Sequence, residues 1–526
     1  MKKKLVLIRP YSPETFWKLT GVLDITRRKT VIPPLSLVTV AALTPSDKYD
    51  ITIIDEETEE INYDMDCDLV GITAFTLHSK RVKIISEEFR KRGKLTILGG
   101  PYCTGHAEEC KPYFDVLICG EAEFIWPQFL EDWENNKHKS LYRETKLISM
   151  DTSPTPRWDL INMKNYSGSM VQTSRGCPYD CEFCDVVALY GRKMRYKKVE
   201  QVIAEIRLLN KLGLSDVFFA DDNFIGNKKF IKELMQALIE LNRELRKPMR
   251  YMTQVTLNIA EDEELLDLLK HANFYSIFVG VESASKESLM HTNKAHNAKL
   301  DMFEAIRRVQ SRGIFIIAGM IVGFDTDDTS VFELQSKFLI ESGLTIPMLG
   351  MLTAPKGTKL WERLENENRL YPLLETGDMF AVTNFEPRLM NKENLEKSYV
   401  ELLNDVFSYD HFLKTYRSFI QQIELKEIKD NSHLSRQMNI KNFRLYAVAV
   451  AIRLIKHYAF SSDKGKRKLF YEVMKITLKK SILCFPLAIE ILLYFKAEND
   501  FVSQHQIDHL HRDGVATQET ATLEYV

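Results

Sequence analysis

The chain has 526 residues, 45% of them hydrophobic, with a formal net charge of −2 and a pI near 6.7. That length provides for about three domains, the near-neutral balance argues against a global affinity for nucleic acid, and eight cysteines are too sparse for a disulfide scaffold. After Met1-Lys2-Lys3-Lys4 come only Leu5 to Ile8 before Arg9-Pro10, too short for a signal-peptide core. The longest apolar run, Ser481 to Phe495, contains Pro486 and Glu490 and falls short of a membrane span. A reducing cytoplasm is the expected home.

Residues 1–140 alternate strand and helix patterns. Leu5–Ile8, Ile51–Ile54, Leu69–Ile72, Leu95–Leu98 and Val116–Cys119 read as short, fully buried strands. Between them run amphipathic stretches such as Arg81 to Arg92, with Val82, Ile85 and Phe89 on one face. Five strands with crossovers predict an open, parallel, doubly wound sheet, whose ligands bind beyond the carboxyl ends of the strands. Those ends are Arg9-Pro10-Tyr11, Asp55-Glu56, Thr73-Ala74-Phe75-Thr76, Gly99-Gly100-Pro101-Tyr102 and Gly120-Glu121. Glycine there admits a bulky ligand close to the backbone. No G-x-G-x-x-G follows the first strand, which weakens a dinucleotide reading. Cys67, Cys103, Cys110, Cys119 and Cys484 are scattered in mostly apolar surroundings and read as buried free thiols.

Residues 141–168 form a linker, with Pro154 and Pro156 forbidding a continuous helix and Trp158 offering an aromatic anchor. Next comes the stretch from Gln172 to Cys184, in which Cys177, Cys181 and Cys184 stand at C-x3-C-x2-C spacing. Three thiolates on one loop suit an iron–sulfur cluster, and a four-iron cluster usually takes four cysteines. A fourth is missing locally, which would leave one iron open. The alternatives are an incomplete zinc site or three buried thiols. Zinc wants four ligands, yet no second cysteine pair exists and the histidines, His138 before the loop and His271 after it, are remote.

This arrangement, with Phe183 just before the last cysteine, resembles the signature of the radical S-adenosylmethionine (SAM) superfamily, in which the open iron binds the amino and carboxylate groups of SAM. The strand ends of residues 1–140, with Pro33-Pro34-Leu35 opening a helix, resemble the cobalamin-binding domain fused to one large class of these enzymes. The resemblance implies corrinoid contacts from Thr73, Phe75, Thr76, Gly99, Gly100, Pro101, Tyr102, Gly120 and Glu121. The D-x-H-x-x-G loop of many cobalamin domains does not occur, so the lower cobalt ligand is open, and a Rossmann-like domain that merely docks is the alternative.

From 169 to 385 the βα rhythm resumes, with strands near Met170, Val217, Tyr251, Ile277, Ile316 and Ile346. Six units make a partial (βα)6 TIM-type barrel, whose functional residues collect at the carboxyl strand ends. After the second strand comes Asp221-Asp222-Asn223, groups suited to an ammonium. The resemblance puts the SAM amino group here at Asp222 and Asn223, and a helix N-cap is the plainer reading. Glu282 and Ser283 end the fourth strand and are implied SAM contacts; a solvated strand-end charge is the alternative. Gly319, on the fifth strand, lies in a segment similar to the adenine side of the family's site. Thr353 to Thr358 resembles a proline-glycine turn of cobalamin-type members.

Residues 386–526 turn helical, as in Phe443 to Tyr458 and Leu469 to Lys480, and the chain from about 500 reads as a frayed tail. Between Lys426 and Lys480 fourteen Lys or Arg face four Asp or Glu. Basic and apolar surfaces together suit an anionic membrane face or a lipid-like substrate; a helical cap over the barrel is the alternative. This region diffusely resembles the branch that includes hopanoid C-2 methylases.

The expected fold is therefore α/β: an N-terminal doubly wound Rossmann-like cobalamin domain, a partial barrel and a C-terminal helical domain. The implied enzyme is a cobalamin-dependent radical SAM C-methyltransferase. Its implied cofactors are a 4Fe-4S cluster held by Cys177, Cys181 and Cys184, SAM and cobalamin. Expected partners are a small-molecule or lipid-like substrate and an electron donor such as flavodoxin or ferredoxin, with no nucleic acid and with peripheral contact at the inner membrane face. The rivals are an oxidative cyclase or ring-rearranging enzyme of the same cobalamin type, a methylthiotransferase, and a cofactor sensor.

Overall fold

The computed structural model of the protein describes residues 1–144, 146–371, 383–430 and 445–504. Two six-stranded parallel sheets organise it. The first has the order β2-β1-β3-β4-β5-β6, with β1 Lys3–Arg9, β2 Tyr49–Asp55, β3 Leu69–Thr73, β4 Leu95–Gly99, β5 Val116–Cys119 and β6 Leu141–Arg143. Its strands are near-continuous runs of Val, Ile and Leu because helices cover both faces. The order reverses between β1 and β3, so the crevice for a ligand opens at their carboxyl ends.

The sheet has six strands where the apolar runs predict five. β6 is a three-residue edge strand, paired in parallel with β5 through Leu117↔Leu141, Ile118↔Tyr142 and Cys119↔Arg143. It lies inside the stretch expected to be linker. The rest of that stretch is held at two aromatic points. Trp158 is buried, and the hydroxyl of Tyr166 donates to Asp55 at 2.8 Å. Arg9 reaches the other oxygen of Asp55 at 2.8 Å, so this strand-end acid serves the fold.

The second sheet is the partial barrel. Its strands are β7 Ser169–Val171, β10 Asp216–Phe219, β11 Arg250–Val255, β12 Phe274–Glu282, β13 Phe315–Val322 and β14 Ile346–Met351. They run in the order β14-β13-β12-β11-β10-β7, all parallel, leaving β7 and β14 as unjoined edges. Between β7 and β10 a small antiparallel ribbon, β8 Ser174–Arg175 with β9 Arg195–Tyr196, frames the cysteine loop. The Val199–Lys211 helix packs Val202, Ile206 and Leu209 inward, matching its 3.6-residue apolar period.

The rest of the described residues is mainly helical. The Leu445–Ala459, Lys464–Lys480 and Phe485–Gln504 helices take up the C-terminal patterns, while residues 443–444 and the tail beyond Gln504 lie outside the described residues. The apolar run read as a candidate membrane face is spent inside the molecule. Leu487, Ala488, Ile491, Leu492 and Phe495 of the last helix are buried. Glu490 pairs with Arg250, the first residue of β11, and the Tyr494 ring lies 5.6 Å from Phe315, the first residue of β13. The same helix ends against the Thr20–Thr26 helix, where a Cβ on Gly21 would stand 2.7 Å from Ala497 Cα. Among the described residues, no helix is long and apolar enough to cross a membrane.

Candidate active site

The cysteine loop is built from its flanks inward. Asp221, following β10, accepts from the N–H groups of Thr173 (2.7 Å) and Ser174 (2.9 Å) and from the Thr173 hydroxyl. Asp222 accepts from the N–H of Gly176 at 2.8 Å. Gly176 has φ +96°, and a Cβ there would lie 2.9 Å from the Lys193 carbonyl, so only glycine turns the chain into the loop at this point. Cys177 N–H donates to Gly191 O at 3.3 Å, and Glu182 is pinned through its N–H to Thr292 O (3.2 Å) and its carbonyl to Leu360 N–H (2.9 Å).

Cys177, Cys181 and Cys184 are all half-buried, and near enough that Cys177 raises the pKa of Cys181 and both raise that of Cys184. Burial pushes the Cys181 thiol up to about 11 and Cys184 up to about 12. A metal that takes thiolates offsets that cost, because binding drives off the protons. Three soft donors on one loop suit a four-iron cluster with one iron left open, whereas among the described residues no three such side chains close on a single metal ion. Phe183 turns its ring toward Phe324, 6.0 Å away, beyond the end of β13.

Around the thiols stand the groups suited to SAM. Asn223 is buried, neither amide atom has a hydrogen-bond partner among the described residues, and it lies beside the Cys177 thiol. A buried, unsatisfied amide is costly and invites a polar ligand. Burial raises Asp222 to about 7 and Asp221 to about 6. Neither Asp222 nor Asn223 caps the next helix; Asn227 does, accepting from Lys229 and Phe230 N–H.

Glu282 ends β12 with φ +67° at a bulge where Gly280 and Glu282, but not Val281, pair with β13. A left-handed non-glycine residue costs about 1–3 kcal/mol and persists where its surroundings hold it. Here Lys294 does so, through a buried ion pair. Burial works against the Lys294 charge, but Glu282 and the Cys181 thiol outweigh it and its pKa rises. Lys294 carries no local motif and escaped the sequence reading. Ser283 is fully buried, and its hydroxyl accepts from Ser285 N–H at 3.1 Å, so it shapes the turn. A Cβ on Gly319 would lie 2.9 Å from the Phe278 ring, so the glycine lets that ring rest against β13. Trp17, from the N-terminal part of the chain, lies 5.3 Å from that ring.

At the first sheet, Thr73, Thr76, Gly99, Gly100, Pro101 and Gly120 are half-buried and Phe75 is 58% exposed. Gly100 has φ +92°, and a Cβ would stand 2.9 Å from Ala74 O. The close approach of strand ends leaves a shallow backbone floor beside an exposed ring, which fits a large planar ligand. His78 is not free to ligate a metal there: Nδ1 accepts from Phe75 N–H (3.0 Å) and Nε2 shares a hydrogen with the Ser12 hydroxyl (3.0 Å).

Two of the residues expected at this floor point elsewhere. Tyr102 turns into the core, its hydroxyl donating to Glu109 at 2.6 Å. Glu121 is buried and fully engaged, with Arg175 at 2.8 Å, Arg195 at 2.5 Å and Ile148 N–H at 3.3 Å. Arg175 also holds Glu123 at 2.8 Å. Burial opposes the Arg175 charge, but Glu123 and Glu121 more than restore it. This network ties the end of β5 to the β8–β9 ribbon of the cysteine loop.

Comparison with known proteins places these features. Residues 171–334 match the model of the Radical SAM superfamily, and residues 358–505 match a domain of unknown function (DUF4070). An uncharacterised methyltransferase of Synechocystis sp. is 32% identical over 425 residues, covering 80% of this chain and 79% of that protein. The hopanoid C-2 methylase of Rhodopseudomonas palustris is 32% identical over 346 residues, covering 64% of this chain and 65% of that one. Among solved structures, a radical S-adenosylmethionine methyltransferase from Kitasatospora setae with cobalamin and a [4Fe-4S] cluster bound superposes with a TM-score of 0.60. It covers 91% of this chain and 100% of that one at 13% identity, a likeness of fold. With its cysteine loop at the mouth of a partial barrel and a methyltransferase relative matched over four-fifths of its length, the chain belongs to the radical SAM superfamily, among its methyltransferases.

Proposed function

We propose that the protein methylates an unactivated carbon of a small, apolar substrate, with cobalamin carried on the first sheet and SAM on the barrel. When bound, the cluster and SAM supply a radical that takes a hydrogen from carbon, and the corrinoid supplies the methyl group. The residues of the chain position these groups. Cys177, Cys181 and Cys184 hold the cluster; Asp222, Asn223 and Glu282 face the polar end of SAM; Thr73, Phe75, Thr76, Gly99, Gly100 and Gly120 floor the corrinoid. On this reading residues 1–140, together with β6, form the cobalamin module, 169–385 the barrel and 386–526 the helical region.

The observation that carries this reading is the Glu121–Arg175–Arg195 network, because it brings the carboxyl end of a first-sheet strand against the cluster loop. On this reading both sets of strand ends border one space, where a held substrate is near both reacting centres. The inner barrel wall offers Met170, Phe218, Met252 and Phe278, all half-buried, which suits an apolar substrate and excludes water.

Anaerobic purification tests the reading. Iron near four per chain, a co-purifying corrinoid, and 5′-deoxyadenosine released from SAM on reduction are expected; Cys181→Ala abolishes that release. Zinc in place of iron, or release undiminished in the variant, would overturn it. A product heavier by one CH2 means methylation, whereas loss of hydrogens means the cyclase alternative.

The outer face of the Lys464–Lys480 helix carries a second element of the reading. Lys464, Lys468, Tyr471, Lys475, Leu478 and Lys479 are exposed at helical spacing, mixing charge and apolar surface as an anionic bilayer requires. On this basis the enzyme sits peripherally at the cytoplasmic membrane face. Flotation with vesicles containing anionic lipid is expected for the wild type and lost in Lys468→Glu/Lys475→Glu/Lys479→Glu; equal flotation of both refutes it.

A further inference from the structure

The chain between β1 and the Thr20–Thr26 helix is pinned on both sides of one aromatic ring. Phe16 is buried, its ring 4.3 Å from Phe501 and 5.7 Å from Phe407 of the helical region. Lys18 turns the other way: its Nζ donates to Ser12 O at 2.8 Å and to Glu14 at 3.2 Å, and it lies 3.6 Å over the Tyr11 ring. The next residue, Leu19, has φ +48°, a left-handed conformation that persists where neighbours hold it. Trp17 sits between these anchors and is 45% exposed, an open indole fixed in place.

What Trp17 reaches is the inside of the barrel. Its ring lies 5.3 Å from that of Phe278, with the planes tilted by 45°. Phe278 precedes Gly280 by two residues on β12, so both face the same side of the sheet. A Cβ on Gly280 would stand 2.8 Å from Lys294 Nζ, whose charge responds to the Cys181 and Cys184 thiols. The face that carries Phe278 is therefore the one that leads to the cysteine loop, and Phe278 is itself half-buried. A ring from the segment after β1, at the crevice end of the first sheet, thus meets the inner barrel wall with its own surface still open.

We propose that Trp17 is a substrate-binding residue: its open surface and the Phe278 ring form the apolar wall on which the substrate lies between the two sheets. This role rests on the reading that an apolar substrate is methylated there, and adds a contact from the N-terminal part of the chain. Rigid rings supply apolar contact at little cost in side-chain entropy.

The test uses the full-length holoenzyme and N-phenylnaphthylamine, a neutral apolar dye that brightens when it leaves water. Saturable binding to the wild type is expected. Trp17→Ala should raise the dissociation constant about tenfold, the loss of one aromatic contact, with iron and corrinoid content unchanged. Trp17→Phe, which keeps a ring, should stay within about threefold of the wild type. Trp133→Ala, the same truncation beside Tyr49 at the amino end of β2, should leave the constant as it is. If Trp17→Ala does not fold, Trp17→Gln, which keeps bulk without an apolar face, replaces it under the same expectation. The proposal is overturned if the wild type shows no saturable binding, if the truncated variant binds the dye as tightly, or if Trp17→Phe binds no better than Trp17→Ala. Loss of corrinoid from Trp17→Ala also overturns it, since the indole then serves the cofactor. A wild type without iron or corrinoid sinks the underlying reading instead, a distinct failure.

Discussion

Gly280 is the residue through which the Glu282 site is most exposed to perturbation. A Cβ there would meet the Glu282 carboxylate and stand 2.8 Å from Lys294 Nζ. Both are ends of flexible side chains, so Gly280→Ala should displace the pair without unfolding the barrel. The expected result is a loss of SAM affinity of about tenfold, equivalent to about 1.4 kcal/mol, with the thermal midpoint nearly unchanged; equilibrium dialysis against SAM measures it. His78 supplies a pH test. Burial, then the nearby Arg9, lowers its pKa from 6.5 to about 4. The unfolded chain therefore binds the proton first as pH falls, and the stability His78 contributes above 6.5 is lost between 6.5 and 4. At pH 5 the loss is about 2 kcal/mol, and His78→Gln should flatten that part of the pH–stability curve. The cysteines and Asn223 were legible because their chemistry is local. Lys294 was not, because its meeting with Glu282 depends on a bulge that no spacing announces.

The β8–β9 ribbon is two residues on each side, yet it carries the contact between sheets. Glu121→Gln would leave Arg175 and Arg195 short of a buried counter-charge. Breaking such a pair from one side costs about 3–5 kcal/mol, read as a fall in the denaturation midpoint, and the same variant should retain iron poorly because Arg175 enters the cysteine loop. The Glu121 role reverses the expectation from its place at a strand end. Position beyond a strand marks where ligands bind, but a carboxylate there is equally available to a neighbouring domain, and two arginines reached it first. The main strands of both sheets were readable from buried aliphatic runs. β6 was not, since Leu-Tyr-Arg at an edge has neither the length nor the alternation of a strand.

Across the whole molecule the basic-apolar C-terminal region divides into two uses that composition alone could not separate. The Phe485–Gln504 helix turns its apolar side to the barrel and the Thr20–Thr26 helix, whereas the Lys464–Lys480 helix keeps lysines outside. Gly21→Val tests the first use. Its added carbons must displace the backbone at Ala497, and overpacking of this kind costs about 1–3 kcal/mol, seen as a lower thermal midpoint with the cluster absorbance retained.

The last described helix braces the starts of two barrel strands, β11 and β13, and, at its far end, the helix that begins at Thr20. A ribosome delivers those partners in the opposite order from that in which they are needed. The nascent barrel must wait, its Arg250 and Phe315 uncovered, until the Phe485–Gln504 helix has been made. Premature termination before Phe485 should consequently yield an aggregating polypeptide, never a smaller working enzyme.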